Sequence, residues 1–161
     1  MNIRMTLCYE GTAYFGWQKT KMGPSIQEAL EQALLHILRV PTSVEAASRT
    51  DRGVHAKGQV VNFFLQTPLP LERLIYSLNA VLPPDIRILH MEAAAENFHP
   101  TLGALSKEYR YTICNTPVQL PHHRRHSWHI PAPLDISAMQ KAALHFVGSH
   151  DFAAFTTMPR Q

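Results

Sequence analysis

Residues 25–38 carry a full set of helix signals, and this constrains the fold more than any other feature of the chain. Ser25-Ile26-Gln27-Glu28 reads as a capping box, with Ser25 as the N-cap and Glu28 three residues on. Ile26, Leu30, Leu34, Ile37 and Leu38 then share one helical face, and Pro41 ends the run. A helix with one apolar stripe must bury it against another element. The neighbouring segments supply strands. Ile3 to Leu7 alternates apolar and polar, Val44 to Ala47 is a short strand, and Gln59 to Leu65 is rich in Val and Phe. A second helical pattern over Leu71 to Val81, with Leu71, Leu74, Ile75 and Leu78, is broken by Pro83-Pro84-Asp85, after which Ile86 to Leu89 returns as a strand. Two helices set among strands predict an α+β fold, with helices on one face of a mostly antiparallel sheet.

The later part of the chain gives similar patterns. Glu108 to Ile113 reads as the clearest strand, with Tyr109, Tyr111 and Ile113 on one face and Glu108, Arg110 and Thr112 on the other. Pro117 to Pro133 reads as a long loop. Asp135 is placed to cap another helix, with Met139, Ala142, Ala143 and Phe146 on its buried face and Gly148 closing it. Phe152 to Thr156 would begin a further strand.

Composition narrows the class. Hydrophobic residues make up 45% of the 161 and charged residues 17%, a balance that supports a packed core rather than a disordered chain. No apolar run is long enough to span a bilayer and no secretory signal pattern opens the chain, so no membrane role is expected and the cytoplasm is the default location. Cys8 and Cys114 read as two reduced core thiols. A net charge of +3 with 10 histidines favours an anionic partner.

Arg49-Thr50-Asp51-Arg52-Gly53-Val54-His55-Ala56 places two arginines, an aspartate, a histidine and a glycine between two strand patterns. Reactive groups are often carried on such loops, but an ordinary surface turn with an Arg–Asp pair uses the same residue types. The segment is similar to the signature of TruA-type tRNA pseudouridine synthases, and further matches follow in that family's order. These are Tyr9-Glu10-Gly11-Thr12-x-Tyr14-x-Gly16-Trp17-Gln18, Ser25-Ile26-Gln27-Glu28, Gly58-Gln59-Val60-Val61, Asn79-x-x-Leu82-Pro83-x-Asp85-Ile86, Phe98-His99, Lys107-x-Tyr109-Arg110-Tyr111 and Gly148-x-His150-Asp151-Phe152. Several motifs in one order carry far more weight than any one of them. The sequence departs from the pattern in two places: Arg52 stands where a small residue is usual, and Pro100-Thr101 stands where a small-then-basic pair commonly follows Phe-His.

The resemblance implies a pseudouridine-synthase-like fold built from ferredoxin- or RRM-like halves. Residues 1–105 would form the N-terminal half with the aspartate loop, and residues 106–161 the truncated beginning of the second. It implies isomerisation of uridine in the anticodon stem-loop of tRNA, with no cofactor and no metal, by a homodimer. Asp51 would be the catalytic carboxylate, attacking C1′, attacking C6 or abstracting a ribose proton. Tyr109 would stack on the flipped uracil, its alternative being a core tyrosine on a strand. Arg49 would contact a phosphate or hold the base out, or else simply pair with Asp51. His55 would touch RNA or brace the loop. The family's basic partner for the aspartate lies in a later segment, so these 161 residues alone are expected not to turn over. A non-catalytic RNA-binding remnant is the other reading.

Arg124 and Arg125 lie in the cluster His122-His123-Arg124-Arg125-His126, with His129 beyond. It reads as a basic loop that meets RNA phosphates, ahead of an incomplete zinc set. Tyr14, Trp17 and Met22 read as core and turn packing.

Overall fold

The computed structural model describes residues 1–155. Contacts divide the chain into two compact units, Met1–Glu108 and Tyr109–Gln161.

The first unit runs β1 (Asn2–Tyr9), α1 (Ile26–Leu38), β2 (Glu45–Ala46), β3 (Ala56–Phe64), α2 (Leu71–Val81) and β4 (Ile86–Ala93). The strands lie in the order β2-β3-β1-β4, and every neighbouring pair is antiparallel. This is the ferredoxin-like arrangement, in which each helix crosses over so that the first and third strands sit side by side at the centre.

Alternation along β1 fixes the register. Ile3 pairs with Phe63 and Met5 with Val61, while Met5 and Leu7 face Met91 and Ile88 of β4. All of these side chains are buried on one face, with Ile26, Leu30 and Leu34 of α1 and Leu74 and Leu78 of α2 packed into the same core. Slipping the strand by one residue would turn the whole apolar set outward, so burial and register enforce each other.

Local signals behave as the sequence predicts. Ser25 Oγ accepts the Glu28 N–H at 3.2 Å, and α1 ends on Arg39 in the left-handed conformation, two residues before Pro41. α2 has no side-chain cap, but Asn79 ties it to the sheet. The Asn79 side chain donates to Ile88 O at 2.9 Å and accepts the Ile88 N–H at 2.8 Å. The register of β4 against β1 shifts at this point. The amide side chain therefore stands in for a missing strand partner.

The opposite face of the sheet carries Arg4, Thr6, Cys8 and Asn62. Cys8 is half-buried there rather than in the core, because even positions of β1 point away from the helices. The segment after β4 crosses one end of this face. Asn2 Nδ2 donates to Phe98 O at 2.9 Å and Thr101 Oγ1 to Ala46 O at 2.9 Å, while His99 Nε2 lies 3.1 Å from Glu45. Thr101, part of the second departure from the family pattern, thus has a structural contact.

The second unit contains β5 (Ile113–Cys114) and β6 (Trp128–His129), paired in parallel, and α3 (Ile136–Ala143). Three sequence expectations are corrected here. Residues 108–112 are not a strand, and Tyr109 and Tyr111 are exposed. Alternation defines two faces, but a strand also needs a neighbour for its N–H and C=O groups, and no described strand pairs with these residues. α3 forms with its Asp135 cap, Oδ1 accepting the Ala138 N–H at 2.8 Å, yet Met139, Ala142, Ala143 and Phe146 remain exposed. Propensity and capping formed the helix without covering its stripe. Ala153–Phe155 is a 3₁₀ turn rather than the start of a strand, and Thr156 lies outside the described residues. Phe146, Phe152 and Phe155 instead stack with one another, at centroid distances of 5.6–6.3 Å.

Candidate active site

The loop between β2 and β3 holds Arg49, Asp51 and His55, and its shape is set by an earlier loop, residues 10–17. Trp17 N donates to Thr50 O at 2.9 Å, Gly53 N to Tyr14 O at 3.3 Å, and Gly11 N to His55 Nδ1 at 3.0 Å. The two loops touch backbone to backbone, and that contact requires glycine. A Cβ on Gly11 would strike the Val54 carbonyl. Gly16 has φ +98°, and a Cβ there would fall 2.6 Å from Thr50 O. These two residues act as close-approach glycines on which the aspartate loop rests.

The loop closes on its own turn. Val54 N donates to Asp51 O at 3.2 Å, and Gly53 sits at φ +79° in the third position, as a type II turn demands. Beneath it, Tyr9 is buried with its hydroxyl 2.8 Å from Thr50 Oγ1, and Gln59 donates to Ser48 O and, at 3.4 Å, to the Tyr9 oxygen. Burial raises the pKa of Tyr9, so it remains a neutral hydrogen-bonding post. Tyr14 donates to Asp85 Oδ1 at 2.7 Å. Burial and the Asp85 carboxylate hold its proton well above the ordinary phenol range. Glu10 N donates to Asp85 O at 2.9 Å, so the start of β4 also braces the first loop. The motifs around residues 9–17, 49–56 and 82–86 therefore form one structure.

The result is an exposed Asp51 at the start of a turn whose backbone is fixed on several sides. Among the described residues its carboxylate makes no ion pair or hydrogen bond, and Arg49 is exposed nearby in sequence without pairing to it. His55 Nδ1 accepts the Gly11 N–H. The Glu10 carboxylate lies 3.9 Å from the same nitrogen, which cannot carry a proton while it accepts that bond. Arg52 lies over the Phe15 ring, with the guanidinium carbon 4.3 Å from the centroid. An open cleft of about 410 Å³ lies at the end of β1, lined in part by Tyr9, Lys57, Asp85 and Arg87; Asp51 is not part of its wall.

The remaining candidates belong to the second unit. Tyr109 is 71% exposed at its start. Arg124 and Arg125 are exposed after the turn Pro121–His123. Their loop is stitched by its own side chains. Gln119 Nε2 donates to Ser127 O and Oγ at 3.0 Å, and Asn115 Nδ2 donates to Ile130 O and Ala132 O at 2.6 and 2.7 Å. Among the described residues, no three His, Cys, Asp or Glu side chains gather as a metal ion would require. Tyr14 and Trp17 are buried, whereas Met22 is 75% exposed in the Thr20–Gly23 turn and is not part of the core.

The sequence reading did not single out Tyr9, Gln59, Gly11, Gly16 and Asp85 as supports of the aspartate loop. All five stood within recognisable motifs, but their roles come from contacts between segments far apart in the chain, such as Gly16 with Thr50 and Glu10 with Asp85, which spacing along the chain does not reveal.

A ferredoxin-like sheet that presents an open carboxylate on a glycine-cradled loop defines a scaffold with a candidate catalytic group. A family model described as tRNA pseudouridine synthase matches residues 6–101. The chain is 50% identical over 155 residues to tRNA pseudouridine synthase A 2 of Protochlamydia amoebophila, covering 96% of this chain and 59% of that protein. It is 48% identical over 153 residues to tRNA pseudouridine synthase A of Pelobacter propionicus, covering 95% and 63%. It is 44% identical over 153 residues to the Myxococcus xanthus enzyme of the same name, covering 95% and 58%. The chain belongs to the tRNA pseudouridine synthase family. It spans about three fifths of the length of these relatives.

Proposed function

We propose that the full-length protein isomerises uridine to pseudouridine in the anticodon arm of tRNA, with Asp51 as the catalytic carboxylate. The observation that carries this reading is the exposed, unpartnered Asp51 on a loop whose backbone is fixed by Gly11, Gly16 and Thr50. Relatives at 44–50% identity that bear the name tRNA pseudouridine synthase A support it.

The reaction breaks the N1–C1′ bond, turns the base and joins C5 to C1′; the C5 hydrogen leaves as a proton and N1 gains one. Atoms and electrons balance without a redox partner, a nucleotide or a metal. A fixed carboxylate can attack C1′ or C6, or take a ribose proton, and each route needs it ionised and aimed. A uridine in a folded RNA must leave its stack to reach such a group. We assign stacking on the flipped uracil to Tyr109, phosphate or base contact to Arg49, and backbone contact to Arg124 and Arg125. His55 braces the loop through its bond from Gly11 N.

We extend the proposal to organisation. Residues 1–105 form the half that carries Asp51, residues 106–161 open a second half, and the enzyme works as a cytoplasmic homodimer.

The test uses full-length protein and tRNA labelled with tritium at uridine C5. Pseudouridine formation releases one tritium per event, and mapping then places the event in the anticodon arm. Binding without release would leave an RNA-binding protein only. Release from other parts of the tRNA would remove the anticodon assignment.

A further inference from the structure

Arg52 follows Asp51 in the aspartate loop, and its side chain is held by an aromatic ring of the earlier loop. Its guanidinium lies 4.3 Å from the centre of the Phe15 ring. Phe15 is itself fixed. Its N–H donates to Pro24 O at 2.8 Å, and its ring packs so closely on Gly23 that a Cβ there would fall 2.5 Å from two ring carbons. Gly23 is bridged to Thr20, so the turn over residues 20–23 closes against the ring. The ring that carries the guanidinium is therefore held in place by a turn of a separate segment of the chain.

An arginine lying over an aromatic face keeps its edge donors pointed outward and has lost part of its rotamer freedom before any ligand arrives. Arg52 is exposed, and among the described residues it has no hydrogen bond or ion pair. The acid next to it in sequence, Asp51, does not neutralise it. A planar fork of this kind, uncompensated and pre-ordered, matches a phosphodiester oxygen pair. A nucleotide delivered to Asp51 brings its own flanking phosphates past the next residue of the same turn.

We propose that Arg52, held by Phe15, is a phosphate clamp for the RNA strand that carries the target nucleotide. This inference rests on the proposed tRNA reading and adds a binding residue to it. Arg52 acts on affinity and strand placement and not on the chemical step.

The experiment measures binding of a tRNA transcript by fluorescence anisotropy across a range of salt concentrations, with single-turnover tritium release read in parallel. The proteins are the full-length wild type, Arg52→Ala, Arg52→Lys and Phe15→Leu. Arg52→Ala should weaken binding by about tenfold near 0.1 M salt and lower the slope of log K against log salt by about 0.7–0.9, the value of one phosphate contact. Arg52→Lys keeps the charge and should keep most of the slope, with an affinity between the two. Phe15→Leu removes the platform and should weaken binding about two- to fivefold, as expected for an exposed cation–π contact. Saturating single-turnover rates should stay within about twofold of wild type.

An unchanged salt slope in Arg52→Ala would overturn the proposal, as would a lost rate at unchanged affinity, which would make Arg52 a partner of Asp51 instead. Wild-type protein that binds tRNA with the predicted slopes but releases no tritium would sink the proposed function and leave the clamp standing. Normal tritium release with no effect of Arg52→Ala on binding would do the reverse.

Discussion

The two units of this chain obey the same local rules with different outcomes. In Met1–Glu108, helix caps, apolar stripes and alternating strands all lead to a shared core that includes Ile3, Phe63, Leu30 and Leu78. In the described part of the second unit, the Asp135 cap works and α3 forms, yet no residue beyond Pro100 is buried. Capping and periodicity decide whether an element forms, whereas burial depends on finding a complementary surface. The exposed aromatic set Phe146, Phe152 and Phe155 has satisfied part of its apolar contact only within itself.

Core substitutions should show the contrast most strongly. Leu30→Ala removes a fully buried side chain and should cost about 2–5 kcal/mol in urea unfolding. The matching change Leu144→Ala, at a residue 70% exposed, should cost less than about 0.5 kcal/mol. Equal costs would mean that the second unit is packed in solution in a way these contacts do not show.

Tyr109 should come next in size. If its ring stacks on a flipped base, Tyr109→Ala should lower activity by an amount corresponding to about 1–3 kcal/mol, and Tyr109→Phe should lower it much less. A Phe variant as inactive as the Ala variant would give the hydroxyl a chemical role. Arg124→Ala combined with Arg125→Ala should reduce the salt slope of tRNA binding by about 1–2, with little effect on the unfolding midpoint, since both residues are exposed. An unchanged slope would remove this loop from the RNA interface.

The smallest effect is on alkaline stability. The folded chain holds the Tyr14 proton above the ordinary phenol value of 10.0. A group that binds its proton more tightly when folded leaves stability flat below pH 10 and lowers it as pH rises further. Thermal melts of the wild type should therefore fall above pH 10, and Tyr14→Phe should flatten that fall. The same slope in both proteins would show that other groups govern it.

Much of the first unit was legible in sequence because its signals are local. Ser25 with the stripe from Ile26 to Leu38 gave α1, and Leu71 to Val81 gave α2, both with the observed limits. The strand reading failed over residues 108–112, and held only at Ile113, because alternation is only half of a strand; pairing needs a second segment. The site divided in the same way. Asp51 stood out by residue type and motif, whereas the support from Tyr9, Gln59 and the two close-approach glycines became visible only when residues 9–17 met residues 48–55 in space. Arg52, out of pattern in sequence, is explained by Phe15, a residue with no signal of its own.

The central claim is that the carboxylate of Asp51 carries the chemistry while its loop is positioned by others. Asp51→Asn tests it most directly, since the amide keeps the size and shape but cannot be ionised or act as a base. Tritium release from C5-labelled tRNA should drop below detection, with tRNA affinity within about threefold of wild type and an unchanged unfolding midpoint for this exposed side chain. Substantial release by a purified Asp51→Asn protein would contradict the account and move the catalytic group elsewhere.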